Sequence, residues 1–223
     1  MTKYPKEFYN KMPTSVPKGY ASATGAKLKF QSMVEPDIEI EFMAFLNNFT
    51  QNFNSTWNAE PVYGRNDDIA TFQGTKRSYS ISWTVPAGTI QEAQYNLSNC
   101  GFLTQMLYPQ YNTDNKQVGT NTISQNALSI SKSPLIRLSF ANLIVNSNDD
   151  GQGLLGYVTS LNWTPTLEMG MFTENQNFYP KVIEISIDFN VLHEHQLGFS
   201  KVKDTDGTFG GGIIGFPFKG RKP

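Results

Sequence analysis

The chain has 223 residues, and its 18 Lys and Arg residues against 19 Asp and Glu residues give a formal net charge of −1. This balance excludes a nucleic-acid binder that works by bulk positive charge, and it excludes an acidic disordered chain. Charged residues make up only 17% of the chain and aromatic residues 13%, which favours large protein–protein contacts, because interface cores are poor in charge and rich in aromatic side chains.

Three further exclusions concern compartment. The single cysteine, Cys100, cannot form an internal disulfide. The first ten residues contain no apolar run of the kind that a signal peptide needs, so we expect none there. No apolar run approaches 18 residues, so we expect no membrane-spanning helix.

Residues 1–26 are predicted to form an extended arm. Three prolines interrupt any continuous helix or central strand. The arm nevertheless carries aromatic side chains such as Phe8, Tyr9 and Tyr20, which a free disordered tail rarely spends. We therefore expect the arm to pack on its own domain or on a neighbouring subunit.

The first half of the domain shows a period of two. Lys27–Val34 and Ile38–Leu46 alternate apolar and polar residues, which predicts a hairpin of half-buried strands. Residues 47–59 are rich in asparagine and predict either a strand or an ordered loop. Thr75–Val85 is the cleanest strand of this half, with four apolar side chains on one face and serines on the other.

One helix is predicted, at about residues 89–108. Apolar residues recur there at intervals of three and four. Thr89 is a plausible N-cap, with Glu92 at the spacing of a capping box, and Tyr108-Pro109 ends the segment. Cys100 falls on the apolar stripe, which favours a core position over a role as a nucleophile.

The second half is predicted to contain three strands separated by loops. Tyr111–Ser133 is polar without apolar period and is predicted to be a long loop. Leu135–Val145 and Leu154–Thr164 return to the β pattern. Met169–Tyr179 is predicted to be a loop, and Lys181–His193 is the most regular strand of the chain.

The last residues form a tail in which glycines alternate with apolar side chains. Such a tail is too apolar to lie free in water and too rich in glycine to fold alone, so we expect it to dock in a groove. The patterns together divide the chain into an N-terminal arm at 1–26, a β domain at 27–200 and a tail at 201–223.

Candidate chemistry is sparse, and we predict no catalytic, cofactor-binding or metal-binding residue. His193-Glu194-His195 permits a metal site, but polar residues at the end of a strand are the favoured interpretation, because the chain has no third histidine. Two Asp pairs, Asp67-Asp68 and Asp149-Asp150, could ligate calcium, although turns require Asp as well.

The three tryptophans permit another function. Trp57, Trp83 and Trp163 could form a platform for sugar binding, as exposed aromatic residues do in carbohydrate-binding modules. The strand positions of Trp83 and Trp163 favour the core instead.

Four segments resemble baseplate and tail structural proteins of contractile-tailed bacteriophages. The segment Pro61–Arg77 contains a Tyr-Gly-Arg-x-Asp-x-Ile-like run leading into a Thr-x-Arg strand. Val191–Phe199 contains His-Glu-His-x-Leu-Gly after the last long strand. Leu107-Tyr108-Pro109 and Tyr179-Pro180-Lys181 fit the same pattern, so that the resemblance covers residues 60 to 199.

The resemblance implies a tail-tube-like β-barrel or β-sandwich with one flanking helix and extended terminal arms. Such proteins assemble as hexameric rings, and a tube initiator or adaptor ring links the central hub to the tail tube. The implied partners are copies of the chain, neighbouring tail-tube and hub proteins, and genomic DNA that passes without specific binding. The implied location is the virion, after assembly in the host cytoplasm. A baseplate wedge or another tail structural protein, and a carbohydrate-binding module, are the alternatives.

The resemblance and the apolar extensions together assign two sets of residues. The predicted inter-subunit contacts lie on the arm and the tail: Phe8, Tyr9, Tyr20, Phe209, Ile213, Phe216 and Phe218. A structural corner, fixed by charge-assisted hydrogen bonds, is predicted for Tyr63, Gly64, Arg65, Asp67 and Arg77.

Overall fold

The computed structural model describes residues 27–43, 45–118, 121–146, 152–195 and 197. The arm at 1–26, the tail at 201–223 and the Asp149-Asp150 pair lie outside the described residues. So do all seven predicted inter-subunit contacts on the arm and the tail.

The described residues form eleven strands, one α-helix and one short 3₁₀ turn at Leu167–Met169. In chain order the elements are β1 (Lys27–Ser32), β2 (Glu39–Met43), β3 (Phe45–Glu60), β4 (Ile69–Pro86), α1 (Ile90–Gln105), β5 (Gln110–Val118), β6 (Asn121–Lys132), β7 (Ile136–Phe140), β8 (Leu154–Pro165), β9 (Met171–Glu174), β10 (Asn177–Pro180) and β11 (Val182–Val191).

Seven strands form one antiparallel sheet in the order β2-β1-β7-β8-β11-β4-β3. The predicted mainly-β fold with a single helix is confirmed. Of the two predicted architectures, the sheet does not close into a barrel, because β2 and β3 remain at its two ends. The open sheet is consistent with a sandwich.

The sheet curves so that its two halves share one core. Trp83 of β4 stacks on Phe30 of β1, with ring centroids 5.9 Å apart, and lies 5.7 Å from Phe42 of β2. All three rings are at most 1% exposed. Because β7, β8 and β11 separate β1 from β4 in the sheet, these contacts require the sheet to fold over itself.

The helix α1 lies where the curved sheet is open. Asn99 donates from Nδ2 to the backbone oxygen of Glu41 on the end strand β2 at 3.4 Å, and Asn96 donates to that of Pro86 at 3.3 Å. The predicted N-cap is confirmed, since the Thr89 hydroxyl accepts from the Glu92 amide at 3.3 Å. Cys100 is 2% exposed and burial raises its pKa to about 12, which confirms its core position.

Three predictions differ from the structure. Residues 111–133 are not a loop, because β5 pairs with β6 there, and β9 pairs with β10 inside the second predicted loop. Both pairs form separate two-stranded sheets, and neither sequence has the apolar period that would predict its strands. Trp163 is 42% exposed rather than buried. It lies opposite Ile185, but β7 pairs with β8 only as far as Gly156 and leaves this end of β8 uncovered.

Two glycines permit the close approach of the start of β8 to its neighbours, β11 at Gly156 and β7 at Gly153. β7 and β8 share three residue pairs, and Gly156 lies at one end of them. A Cβ atom at Gly156 would collide with the Asn190 backbone oxygen and would lie 2.6 Å from the Phe189 ring. At Gly153 it would lie 2.6 Å from the Leu138 oxygen. Only glycine allows the backbones to approach this closely.

We therefore expect Gly156→Ala to lower the free energy of unfolding by about 1–3 kcal/mol, because the strand must shift to accept the methyl group. Chemical denaturation measures the change. Gly101→Ala is the matched control. Nothing lies within 4 Å of its Cβ position on α1, so this variant should gain about 0.5–1 kcal/mol. Equal stability of the two variants would contradict the packing argument.

A cluster of four charges covers the outer face of β1 and β2. Lys27 and Lys29 lie 2.8 and 2.7 Å from the two carboxylate oxygens of Glu41, and Lys29 also lies 2.8 Å from Glu39. Burial alone would raise the pKa of Glu41, but the hydrogen bonds from the two lysines outweigh it and hold this pKa below its usual value.

A lowered pKa in the folded state stabilises the protein above the unfolded-state pKa, near 4.5, and the stabilisation disappears as the pH falls through the folded-state pKa. Glu41→Gln should therefore lose up to about 1 kcal/mol at neutral pH. The difference from wild type should vanish in acid. Denaturation curves across this pH range test it, with the exposed Glu35→Gln as control, and a deficit that is independent of pH would contradict it.

Candidate functional site

The most unusual feature of the fold is a two-stranded extension beyond the sheet. β4 pairs with β11 only from Pro86 to Ser78, whereas its pairing with β3 continues to Ile69. In the strand pairing of the described residues, 53–60 and 69–77 therefore pair with each other alone, and we call them the ribbon. At about 3.3 Å per residue, the ribbon projects about 26 Å past the end of β11.

A β-bulge determines which side chains share a face of the ribbon. The register pairs Thr56 with Gly74 but Trp57 with Phe72, so Gln73 is an extra residue in β4. Without it, Trp57 would lie opposite Gln73. The bulge instead brings Phe72 onto the face of Trp57, where the two rings lie 5.1 Å apart.

The resulting apolar face continues the core beyond the sheet. Phe53 and Trp57 follow Gln51 along one side of β3, and Gln51 lies opposite the buried Tyr79. Phe53, Trp57 and Phe72, which we call the ribbon strip, are 47%, 57% and 53% exposed. Ser55 and Thr75 lie on this face between Phe53 and the Trp57–Phe72 pair. Exposed large aromatic side chains grouped on one face mark a binding surface.

Arg77 lies at the base of the ribbon and is only 2% exposed. It donates from Nη2 to the Tyr79 hydroxyl. With the Gln51 amide oriented so that its oxygen faces the guanidinium, this oxygen accepts from Nε at 2.7 Å and from Nη2 at 2.9 Å. The guanidinium also lies 5.6 Å from the centre of the Phe53 ring. Burial lowers the pKa of Arg77, against the opposing effect of Tyr79. These contacts fix the orientation of the strip where it leaves the sheet.

The structure separates the residues of the predicted corner. Tyr63, Gly64, Arg65 and Asp67 lie together in the exposed connection between β3 and β4, which we call the tip. Gly64 has φ +86°, and the Arg65 amide donates to the Val62 oxygen at 3.2 Å. Arg77 is at the other end of the ribbon, so the tip and Arg77 do not form one corner.

The two ends of the sheet are protected differently. β3 has sixteen residues, Phe45–Glu60, without Lys, Arg or Pro and with one acidic residue at its last position. No described strand pairs with its outer edge. At the opposite end, β2 has five residues, is paired on its outer face with lysines of β1, and accepts a hydrogen bond from α1. Charges, prolines and covering elements are the usual protection against edge pairing, and β3 has no proline and no charge before its last residue.

The chain leaves the sheet at the base of the ribbon. Asn190 lies opposite Ser78, directly beside Arg77. Glu194 then binds Arg137 through two hydrogen bonds of 2.6 and 2.8 Å and accepts a third from Asn146 at 3.1 Å. Leu197 and Arg77 line the same shallow cleft. We call residues 192–195 the exit segment.

The exit segment contains the two histidines of the metal hypothesis. Desolvation, and then the positive charges of Arg77 and His195, lower the pKa of His193. Among the described residues, no group of three or more His, Cys, Asp or Glu side chains could hold a metal ion. Glu194 lies between the histidines and is bound to Arg137.

The described part of the chain also has no helix with the length and apolar character needed to cross a membrane.

Comparisons with models of known protein families and with curated proteins give no match for this sequence. The site is therefore defined by its own geometry. It consists of the strip, the tip and the unprotected edge of β3, all on β3, β4 and the connection between them.

The Glu194–Arg137 pair generates a stability prediction. The Arg137 side chain is only 13% exposed, so Glu194→Gln would leave this cation without its carboxylate. We expect a loss of about 1–3 kcal/mol in the free energy of unfolding. The Leu192 amide, which donates to Leu155 at 2.8 Å, should also exchange faster with solvent. The control, the exposed Glu168→Gln, should change stability by less than about 0.5 kcal/mol. Equal effects of the two variants would contradict this role of Glu194.

Proposed function

We propose that the chain is a structural component of a phage tail baseplate. It forms a ring, hexameric in our proposal, that initiates the tail tube or adapts it to the central hub. Its task is mechanical, to bury large interfaces and to set the symmetry that the tube continues. The resemblance of four ordered segments to tail proteins supports this proposal, and so does the mainly-β fold with one helix.

The observation that carries the proposal is the unprotected edge of β3. An edge of this length with neither lysine nor proline is an aggregation hazard on a monomer, but it is a suitable surface for pairing between subunits. The opposite end of the sheet, at β2, is short and charged. When the β3 edge pairs with a different surface of the next copy, the contact is head to tail, and head-to-tail contacts close into rings when the rotation permits.

The charge distribution supports the same proposal. The serines of β4 at 78, 80 and 82 face away from the core and pair with polar residues of β3 and β11. A surface with few charges neither repels a neighbouring copy nor attracts the DNA that would pass through a ring.

The test uses the mass of the purified full chain by light scattering, followed by negative-stain images. We expect rings with the mass of six chains. Thr50→Lys combined with Asn52→Lys should abolish them, because both side chains are exposed on β3 and two added charges there oppose edge pairing. Folding should be unchanged, since neither residue belongs to the core.

The matched control adds the same charge elsewhere. Gln91→Lys combined with Gln105→Lys places two lysines at exposed positions of α1 and should leave the rings intact. Rings in the β3 variant at the same yield as in the control would show that this edge is not the interface. Dimers or trimers in the wild type would instead favour the wedge component.

A further inference from the structure

The ribbon strip lies beside the point where the described chain ends. β11 ends at Val191, one residue beyond the Asn190–Ser78 pair at the base of the ribbon. Glu194 binds the exit segment to Arg137 of β7, and Leu197 lines the same cleft as Arg77 at the base of the ribbon. Residues 198–223 therefore continue from the base of the strip rather than from a distant part of the fold.

The length of this tail is sufficient. Its 26 residues could span up to about 85 Å when extended, against the roughly 26 Å of the ribbon. Residues 213–218 alone would cover about 20 Å. The residues before them provide the slack to position that segment.

The tail is chemically complementary to the ribbon. Its central part is Ile213-Ile214-Gly215-Phe216-Pro217-Phe218, preceded by three glycines that permit close approach of the backbone. The strip offers exposed aromatic rings of matching character. The ends match in charge as well. Lys219, Arg221 and Lys222 follow the apolar part of the tail, while Glu60, Asp67 and Asp68 outnumber Arg65 near the tip.

β4 also offers backbone groups along the ribbon. Over residues 69–77 its second edge, which β11 occupies from Ser78 onward, is paired with no described strand. An extended segment entering from the base can continue the line of β11 along this edge. Main-chain hydrogen bonds and apolar contacts then act together, as in the addition of a strand to a sheet.

We propose that residues 198–223 of the same chain cover the ribbon strip. Residues 213–218 lie against Phe53, Trp57 and Phe72, and the basic residues that follow lie over the acidic tip. This assignment does not depend on the ring or on the phage tail, since it concerns one chain. It gives Ile213, Phe216 and Phe218 an intrachain contact in place of the inter-subunit contact expected from the sequence.

Photo-crosslinking of the full chain tests the proposal. p-Benzoylphenylalanine is placed at Phe72, which is half exposed and outside the core. After irradiation, mass spectrometry should find the probe joined to a peptide from residues 198–223, in a product with the mass of a single chain. The yield should not change on dilution.

The control position is Leu167, which is 66% exposed. Its neighbour Thr166 donates to the backbone oxygen of Val182, so it lies at the opposite end of β11 from the ribbon. A probe there should not join the tail. Tail crosslinks of equal yield from both positions, no tail crosslink from Phe72, or a product with the mass of two chains would each overturn the proposal.

Variants of the tail identify the contact. Phe216→Ser with Phe218→Ser should lower the crosslink yield at Phe72 at least fivefold. Lys219→Glu with Lys222→Glu should also lower the crosslink yield. The decrease should be larger in low salt than in high salt, because salt screens the interaction with the acidic tip. Phe8→Ser with Tyr9→Ser removes two aromatic side chains from the N-terminal arm instead and should leave the yield unchanged. Equal yields in the tail and arm variants would contradict the proposed contact.

Discussion

The mismatch in length between two strand pairings determines the rest of the structure. β11 follows β4 only to Ser78, while β3 follows it to Ile69. Up to Ser78 the apolar face of β4 is covered by the curved sheet and contributes Trp83, Ile81 and Tyr79 to the core. Beyond this point the same face continues into solvent. The ribbon is thus the part of the core face that the described sheet leaves uncovered, and the exposed strip follows from this.

Two local features maintain the apolar face outside the sheet. The buried guanidinium of Arg77 holds Gln51 and Tyr79 at the base, and the bulge at Gln73 places Phe72 beside Trp57. An isolated pair of strands is marginally stable in water. At about 25 cal/mol per Å² of apolar surface removed from water, covering these rings stabilises both the ribbon and the segment that covers it.

The edge of β3 and the face of the strip are different surfaces, so a neighbouring subunit and the chain's own tail can bind without competing.

The sequence contained enough information for the core but not for the ribbon. The alternation in β11 and the Thr89–Glu92 cap predicted a strand and a helix that the structure confirms, because burial on one face imposes a period. Strand β4 was predicted only from Thr75 onward, since the bulge at Gln73 breaks the alternation. The sequence does not predict the hairpin of β5 and β6, because its polar residues show no apolar period. Arg77 was assigned to the tip because sequence proximity does not reveal that an extended strand separates the two.

Amide hydrogen exchange along β3, measured over a range of protein concentrations, tests the central claim most directly. In a paired antiparallel strand, alternate amides point away from the existing partner. The account predicts that the outward amides of β3 exchange rapidly in dilute protein and become protected as subunits associate, while the inward amides bonded to β4 stay protected throughout. Rapid exchange of the outward amides in the assembled protein would contradict the claim that this edge joins the subunits.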